Sequence, residues 1–508
     1  MTGLLIRDCV IGGAPSSVYC EGGKIVRISR GGDLGAPGDA GVIEASGGTL
    51  LPGLTDSHCH PFEYGWLKRN VDLRGVSNLA GLRMRLQAAV SRSRPGDWVV
   101  GMGWNQEEFP DRRIPARADI DDICPANPVA LSRVCGHVAL LNSRAMGDLG
   151  FEARTGEEYE RGADGSLTGI VKETAMTEAL GKVPRTPERS GADLQAVEAE
   201  ASRLGLATLH CVVSPEGYRE ELTALAQLDA AGSLSLRYRV YIPPGAIDFA
   251  KSEGILARFR GDRLRINGVK LFADGSLGAR TAALREPYSD DPPNSGILRF
   301  SLEELTEAVG RVDSEGLQAI VHAIGDRAIE QAIEALSTVA GGTNPRRHRV
   351  EHAGLLPKDL RSKMVKHGIR VAAQPLFVTS DAWAVDRLGE ERIRDYYPSR
   401  SMLEEGIVLS GASDSPVESL SPVLGIWAAM TRGGMVPEES LGLDEAVALY
   451  TSNAASNGFD EAPLVEGAPA NLTLLDSDVE GMHPALLRKV GVLATVVNGG
   501  AVHSFGSG

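Results

Sequence analysis

Leu54-Thr55-Asp56-Ser57-His58-Cys59-His60-Pro61 is the stretch around which the rest of this chain is organised. It follows an apolar run and a Pro52-Gly53 turn, which predicts the end of a buried strand. Side chains alternate between the faces of a strand, so His58 and His60 should point one way and Cys59 the other. Two imidazoles on one face can bind a single metal ion. Alone, such a pair is more often two hydrogen-bonded histidines, so the metal hypothesis needs further ligands on later strands.

The composition is that of a globular protein and limits its partners. The chain has 508 residues, of which 43% are hydrophobic, and a formal net charge of -15. That charge argues against nucleic acid or an anionic membrane as a partner. The six cysteines form no C-x-x-C pair, which favours a reducing compartment. The first residues lack a basic segment followed by an apolar one, and no apolar run approaches the roughly 20 residues of a membrane span. We therefore expect a cytoplasmic protein.

The second half of the chain alternates apolar runs with helical patterns. Alternating strands and helices favour parallel β/α units. Helices are predicted at 216–231, 302–315, 326–339 and 357–367. Strands are predicted at 207–213, 236–242, 264–272, 317–322, 349–352, 370–374 and 407–410. With the strand that ends at His58 the set suggests a closed (β/α)8 barrel of the TIM type.

Both termini contain short strands separated by glycine-rich turns. We expect the strands at 471–475 and 492–500 to pair with those of residues 1–50 in one small β-sandwich domain. The predicted domains are therefore 1–50 and 461–508 for the small β domain and 51–460 for the barrel, with a long insertion at about 63–205. Within the insertion the pattern predicts a helix at 78–91 and strands at 97–104 and 128–132.

Metal-capable side chains follow several of the predicted strands. In β/α barrels the catalytic groups lie at the carboxyl ends of the strands. Any one of these side chains alone would more often be a core histidine or a salt-bridge partner. Their coincidence on five strand ends favours a metal site. They are His58 and His60, then Lys270, His322, His352 and Asp414.

This set of ligands resembles that of the amidohydrolase superfamily. The stretches 103–107, 136–143 and 269–278 resemble its YtcJ-like branch, which includes N-substituted formamide deformylases. The similarity covers nearly the whole chain, including the split β domain and the insertion after the first barrel strand. The stretches are typical of the subfamily and do not indicate a substrate.

The resemblance implies a divalent metal, expected to be zinc, as one or two ions per chain. The implied ligands are His58, His60 and Asp414 for the more buried ion, His322 and His352 for a second, and Lys270 as the bridge between them. Lys270 would be carboxylated by carbon dioxide, because a carbamate is anionic whereas an ammonium group repels cations. With an unmodified lysine, a mononuclear site remains open.

The function implied is hydrolysis of a C-N bond in an N-formyl, N-acyl or cyclic amide by metal-activated hydroxide, with Asp414 moving the proton. A phosphoester or lactone hydrolase on the same metals, or a non-catalytic metal-containing sensor, are the alternatives. The partner is then a small-molecule substrate, and a homodimer is an expectation from the resemblance.

Four further residues are hypotheses for substrate binding, each with a structural alternative. Trp104 and His137 lie in the insertion and would otherwise pack in a core or hold a loop. Asp274 follows Lys270 and would otherwise cap the next segment. Gln374 ends the seventh predicted barrel strand and could donate to a carbonyl.

Overall fold

The structure, a computed structural model, describes residues 3–31, 34–35, 38–133 and 138–505. The chain divides into two compact units. The first combines Met1–Phe62 with Leu194–Gly508, and the second is Glu63–Asp193. Within the described residues, no helix combines the length and the apolar character needed to cross a membrane.

The amino-terminal segment forms short strands joined by tight turns. Gly12-Gly13 and Gly22-Gly23 all have positive φ, which two-residue hairpin turns require and which glycine adopts without strain. The first four strands form a sheet in the order β3-β2-β1-β4. The strands are β1 (Leu4–Ile11), β2 (Ala14–Glu21), β3 (Lys24–Arg30), β4 (Gly41–Glu44), β5 (Leu50–Pro52) and then β6 (Leu54–Cys59), the first strand of the barrel.

The second unit is built on a six-stranded sheet in the order β11-β12-β10-β9-β8-β7. The predicted helix at 78–91 is present as α2, whose first turn is capped by the Asn78 side chain. The predicted strands are β8 and β9, whereas β7 and β10–β12 were not predicted. The elements from Pro61 onward are α1 (Pro61–Arg69), β7 (Val71–Asp72), α2 (Leu79–Val90), β8 (Val99–Trp104), β9 (Val129–Arg133), β10 (Val138–Leu141), α3 (Ser143–Asp148), β11 (Tyr159–Arg161), β12 (Leu167–Lys172), α4 (Glu173–Gly181) and α5 (Pro187–Arg203).

The barrel strands and their helices occupy most of the first unit. The strands are β13 (Leu206–Val212), β14 (Arg237–Ile242), β15 (Leu264–Phe272), β16 (Gln318–Ala323), β17 (Arg349–His352), β18 (Arg370–Ala373) and β19 (Leu409–Gly411). The helices are α6 (Tyr218–Ala230), α7 (Ile247–Ser252), α8 (Ile255–Arg258), α9 (Leu302–Ser314), α10 (Asp326–Ala340), α11 (Lys358–His367), α12 (Phe377–Ser380), α13 (Ala384–Arg392), α14 (Ser399–Glu404), α15 (Pro422–Thr431), α16 (Leu443–Tyr450) and α17 (Ser452–Asn457).

Eight parallel strands in the order β19-β18-β17-β16-β15-β14-β13-β6 confirm the predicted TIM-type barrel. No ladder joins β19 to β6 in the described chain, so the barrel is nearly closed. Three backbone groups bridge this gap. The Asp414 N–H donates to the His58 carbonyl and the His60 N–H to the Ser415 carbonyl, both at 2.8 Å. The Ser413 N–H donates to the Asp56 carboxylate at 3.1 Å.

The carboxyl-terminal strands are β20 (Leu472–Leu475), β21 (Val492–Val497) and β22 (Gly500–Ser504), with α18 (Pro484–Leu487) between the first two. Their pairing differs from the one expected. They form a sheet in the order β22-β21-β20-β5, so their ladder partner is Leu50–Pro52 rather than the strands before it. Buried side chains of both four-stranded sheets belong to one cluster, which includes Leu4, Ile6, Val18, Ile25, Leu472, Leu474, Ala494 and Val496.

Candidate metal centre

Three side chains from the first and last barrel strands converge at the carboxyl end of the barrel. The Nε2 atoms of His58 and His60 lie 3.4 Å and 3.2 Å from the same oxygen, Oδ1 of Asp414. The three ligand atoms all lie within 4.8 Å of one another. His58 is fully buried, whereas 20% of the His60 side chain is exposed. We call this group the His-His-Asp cluster.

Asp414 lies just after β19, where the backbone is no longer in the extended conformation of a strand. Its φ is +54°, a left-handed conformation that aspartate tolerates better than most residues. Burial alone would raise the pKa of its carboxyl group. The contact with His60 and the nearby His352 and His58 outweigh burial and hold that pKa well below its usual range. Asp414 is therefore an anion at neutral pH.

Glu351 fixes which nitrogen of His58 faces the cluster. The carboxylate of Glu351 contacts His58 Nδ1 and accepts a hydrogen bond of 2.5 Å from Arg349 Nε. Burial would raise the pKa of Glu351, but the charges of Arg349 and His58 hold it well below its usual range. Nδ1 then carries the proton, and the lone pair of Nε2 points at Asp414, as in carboxylate-histidine-metal arrangements.

Lys270 lies beside the same imidazole. Its Nζ is 3.1 Å from His58 Nε2 and 4.9 Å from the centre of the Phe272 ring. Only 2% of Lys270 is exposed. Burial lowers the pKa of this lysine to about 8, while Glu351 and Asp414 oppose the shift. A neutral amine is therefore accessible near neutral pH, as carboxylation requires.

The two remaining histidines complete a ring around the lysine. The His352 ring lies 5.5 Å from that of His58 and 4.4 Å from that of His322. His352 leaves its strand with a φ of +69°, which turns its ring into the barrel. Its Nδ1 pairs with Gln374 Oε1 at 2.8 Å. Burial, the largest cause in each case, lowers the pKa of His58 to about 4, that of His352 to about 3 and that of His322 well below its ordinary value.

Of the four residues predicted to bind substrate, the structure gives three an internal partner. Trp104 is fully buried in the core of the second unit, and its indole N–H donates to the Leu131 carbonyl at 2.8 Å. Gln374 is fully buried and holds His352. His137 lies outside the described residues. For Trp104 this contact supports packing in the core. Gln374 positions His352 through Oε1, while its buried Nε2 has no partner among the described residues, so donation to a substrate carbonyl stays a prediction.

Asp274 also acts inside the protein. It is fully buried, and its carboxylate lies 3.4 Å from His322 Nε2, which in turn is 2.9 Å from the Gly275 carbonyl. Burial raises the pKa of Asp274 to about 7, although backbone hydrogen bonds oppose the shift. Because this carboxylate ties together three segments and His322, we assign it a supporting role. Its backbone donors are the N–H groups of Ala283, Ile324 and Gly325.

Glu351 and Arg349 were missed as functional residues by the sequence reasoning. Strand alternation places adjacent residues on opposite faces, so Glu351 and His352 were not expected to serve the same site. The positive φ of His352 breaks that alternation. The signal available was a Glu-His pair at a strand end, preceded by an arginine two residues earlier.

A cavity of about 210 Å³ lies next to the centre. Phe377 lines this cavity, and its ring stacks on that of His352 with centroids 6.3 Å apart. Val417 lines it as well, and its N–H donates to the Asp414 carbonyl at 2.9 Å. Two residues of its wall therefore contact His352 and Asp414.

The chemistry of the cluster fits a divalent metal ion. The Nε2 lone pair of His58 faces the anionic oxygen of Asp414 at 3.4 Å, an arrangement of two acceptors that repel without a cation between them. The lowered pKa of His58, about 4, excludes a second proton, on Nε2, at neutral pH. Imidazole and carboxylate are ligands that zinc and its neighbours accept. A barrel with such a cluster at the carboxyl ends of its strands defines the class of metal-dependent barrel hydrolases.

Comparison with known proteins places the chain within that class. The model of the amidohydrolase family matches residues 41–503. The YtcJ amidohydrolase of Bacillus subtilis is 30% identical over 491 residues, covering 91% of this chain and 90% of that protein. The N-substituted formamide deformylase of Arthrobacter pascens is 27% identical over 520 residues, covering 95% and 94%. A crystal structure of an uncharacterized metal-dependent hydrolase from Pyrococcus furiosus matches with a TM-score of 0.80 and 31% identity, covering 94% of this chain and 99% of that one.

This chain belongs to the amidohydrolase family, in its YtcJ-like branch. It is a metal-dependent hydrolase by family and by the shared fold. The resemblance inferred from the residues of the sequence is thereby confirmed.

Proposed function

We propose that this protein hydrolyses a C-N bond of the amide type, in an N-formyl, N-acyl or cyclic amide. The observation that carries the proposal is the His-His-Asp cluster, whose ligand atoms lie within 4.8 Å of one another beside an open cavity. The similarity to a protein named N-substituted formamide deformylase supports the choice of bond. Phosphoesters and lactones are the substrates against which this choice is tested.

His58, His60 and Asp414 would hold the first divalent cation, for which we propose zinc. His322 and His352 would hold a second, because their rings are 4.4 Å apart and their low pKa values keep both imidazoles neutral. A cation bound there supplies the positive charge that lowers the pKa of a water molecule and polarises a carbonyl.

The chemical state of Lys270, ammonium or carbamate, determines whether the site holds one metal ion or two. As an ammonium group it would donate to His58 Nε2 across the observed 3.1 Å and compete with a cation for that lone pair. As a carbamate it would contribute two anionic oxygens, which attract a cation. We propose the carbamate, because burial has already brought the pKa of this lysine to about 8. Incubation with labelled bicarbonate should give a carbamate signal in carbon NMR that is absent from Lys270→Met.

Asp414 would move the proton during hydrolysis. As an anion it could accept a proton from the attacking water and return that proton to the leaving nitrogen. His58 would not take this role, because the proposed cation would occupy the Nε2 lone pair and Glu351 holds the Nδ1 side of the ring.

The test is a substrate panel on purified protein together with a metal analysis. We expect turnover of N-formyl or N-acyl amines that disappears after exhaustive chelation and returns with zinc. Faster turnover of phosphotriesters or lactones than of every amide would replace the C-N proposal with one of those activities. Bound metal without turnover of any panel member would leave a metal-containing sensor, and full activity after chelation would end the metal proposal.

A further inference from the structure

The cavity beside the metal centre combines aromatic rings with unpaired acids. Four rings line it, those of Phe377, Trp383, Tyr396 and Tyr397. The Phe377 and Tyr397 rings meet at 90° with centroids 6.2 Å apart, and the Tyr396 and Tyr397 rings at 74° with centroids 4.8 Å apart. Aromatic side chains that meet at such angles present both faces and edges, so they can surround a compact group from several sides.

Two carboxylates, Asp381 and Glu418, belong to the same wall. Neither has an ion-pair partner among the described residues, and no lysine or arginine lines the cavity. Asp381 accepts a hydrogen bond of 2.7 Å from the Tyr396 hydroxyl. Burial, and to a lesser extent the charge of Glu418, raises the pKa of Asp381. The lining therefore combines two carboxylates with aromatic rings and contains no cationic side chain.

Two arginines close to this wall are engaged elsewhere. The buried Arg432 donates to the Tyr397 carbonyl at 2.8 Å and to the Tyr396 carbonyl at 2.9 Å, and it does not line the cavity. The Arg387 guanidinium lies 5.5 Å from the Trp383 ring centre, but it forms an ion pair with Asp290. It does not line the cavity. It therefore does not neutralise Asp381 or Glu418 by contact.

We infer that the cavity selects amides that carry an alkylammonium arm, with the cation bound among these four rings and beside Asp381 and Glu418. This inference rests on the proposed function, since it names the substrate class of that site. A cation is attracted to the faces of aromatic rings, and most strongly to tryptophan. The two carboxylates add a Coulombic term that a neutral alkyl or benzyl group cannot use. An anionic arm would be repelled.

The size of the cavity limits the arm. At about 210 Å³ it is smaller than the pockets of roughly 300–1,000 Å³ that enclose drug-sized ligands. A trimethylammonium group on a short alkyl chain is of suitable size. With the cation among the rings, the amide group would lie toward His352, on which Phe377 stacks.

The experiment compares two isosteric formamides. One is the N-formyl derivative of trimethylammonio-propylamine, and the other replaces the trimethylammonium by a tert-butyl group. The pair differs in charge and hardly in shape, so kcat/KM reports charge recognition. We expect the cationic compound to be preferred by about tenfold. A ratio of one or below would overturn the inference while leaving amide hydrolysis intact.

Variants of Glu418 test the source of the preference. Glu418 is only partly buried, so Glu418→Gln should fold normally. It should lower the preference by about threefold, and Glu418→Lys should reverse it in favour of the neutral compound. The matched control is Glu253→Gln, an exposed carboxylate between α7 and α8, which should leave the ratio unchanged. An unchanged ratio in both Glu418 variants would overturn the inference.

A ring variant separates the aromatic contribution from the carboxylates. Trp383→Phe keeps a ring and should retain most of the preference, whereas Trp383→Leu should lower it. If neither formamide is hydrolysed, the proposed function fails in this assay and binding decides the inference. Calorimetric titration of the same protein should then show tighter binding of the cationic compound, and equal affinities would overturn the inference.

Discussion

The two ends of the barrel bury charge in opposite ways. At the amino ends of the strands Asp460 accepts hydrogen bonds from Arg239 Nε at 2.6 Å, from Arg265 at 3.0 Å and from Arg237 at 3.2 Å. At the carboxyl ends, the ion-pair partners of Asp414 within the described chain are the imidazoles of His58 and His60. One carboxylate contacts guanidinium groups, and the other contacts imidazoles.

The difference shows what each end is for. A buried carboxylate surrounded by guanidinium groups needs nothing from outside, and its removal would leave buried cations unpaired. A carboxylate that contacts imidazoles has ligand atoms beside it and can bind a metal ion with them. Stability is therefore expected to reside at the amino ends and catalysis at the carboxyl ends, as in β/α barrels generally.

The largest effect should follow from Asp414→Asn. The variant keeps the shape and loses the anionic base, so we expect kcat to fall by about a thousandfold, while metal content falls less. Both are measured on the same preparation with an amide from the panel. The control is Asp444→Asn, an exposed carboxylate in the first turn of α16. Near-normal kcat in Asp414→Asn would show that the carboxyl end does not use this group for proton transfer.

At the other end, Asp460→Asn should destabilise the fold without changing the chemistry. It removes the closest counter-charge of the buried Arg239, at 2.6 Å, and leaves only Asp262 at 4.0 Å among its described ion-pair partners. We expect the free energy of unfolding to fall by about 3 kcal/mol in urea titrations. Metal content and kcat of the folded fraction should stay the same. The exposed neighbour serves as the control, in Glu461→Gln. Loss of metal from Asp460→Asn would break the separation of the two ends.

Glu351→Gln should weaken metal binding by about 10- to 100-fold, because it disturbs the group that orients His58. Competition with a chelator measures the affinity. The variant also leaves Arg349 unpaired in the interior, so stability should fall as well. The double variant Glu351→Gln with Arg349→Met separates the two effects: part of the stability should return and the affinity should not. Recovery of both would mean that Glu351 only balances the arginine.

The smallest effect is expected for Gln374→Leu. It removes the acceptor of His352 Nδ1, and we expect about tenfold weaker binding of the second ion, with the first retained. Titration of apoprotein with zinc gives the two stoichiometries. Gln374→Glu keeps an acceptor at this position and should bind both ions. A Gln374→Leu protein that loses the first ion as well would show that the two sites are not independent.

The fold was largely predictable because its signals are local. The predicted strand at 264–272 has the observed bounds of β15, and the predicted helix at 302–315 differs from α9 by one residue. Apolar alternation and capping residues act over a few positions, so they are visible in sequence. The pairing of the terminal strands was not predictable from the sequence. The choice of β5 over β1–β4 as the partner of β20 depends on which strand edges the barrel brings together.

The residues of the candidate metal site were predictable from the sequence, but the orientations of their side chains were not. Histidines, a lysine and an aspartate at strand ends are visible in the sequence once a barrel is assumed. Glu351 was not, because its role depends on a contact with His58 that only the folded chain creates. The four rings of the cavity lie within residues 377–397, but their convergence depends on how the connection between β18 and β19 folds.

By itself the sequence determined a β/α barrel, the family and the six side chains that gather at one end of it. Only the tertiary structure decided which nitrogen of His58 faces Asp414, that Gln374 and Asp274 support histidines, and that Asp381 and Glu418 share a cavity with aromatic rings. The physical reason is the distance along the chain over which each interaction acts. Strand alternation is set by neighbouring residues, whereas a proton position or an unpaired charge depends on every group that packs around it.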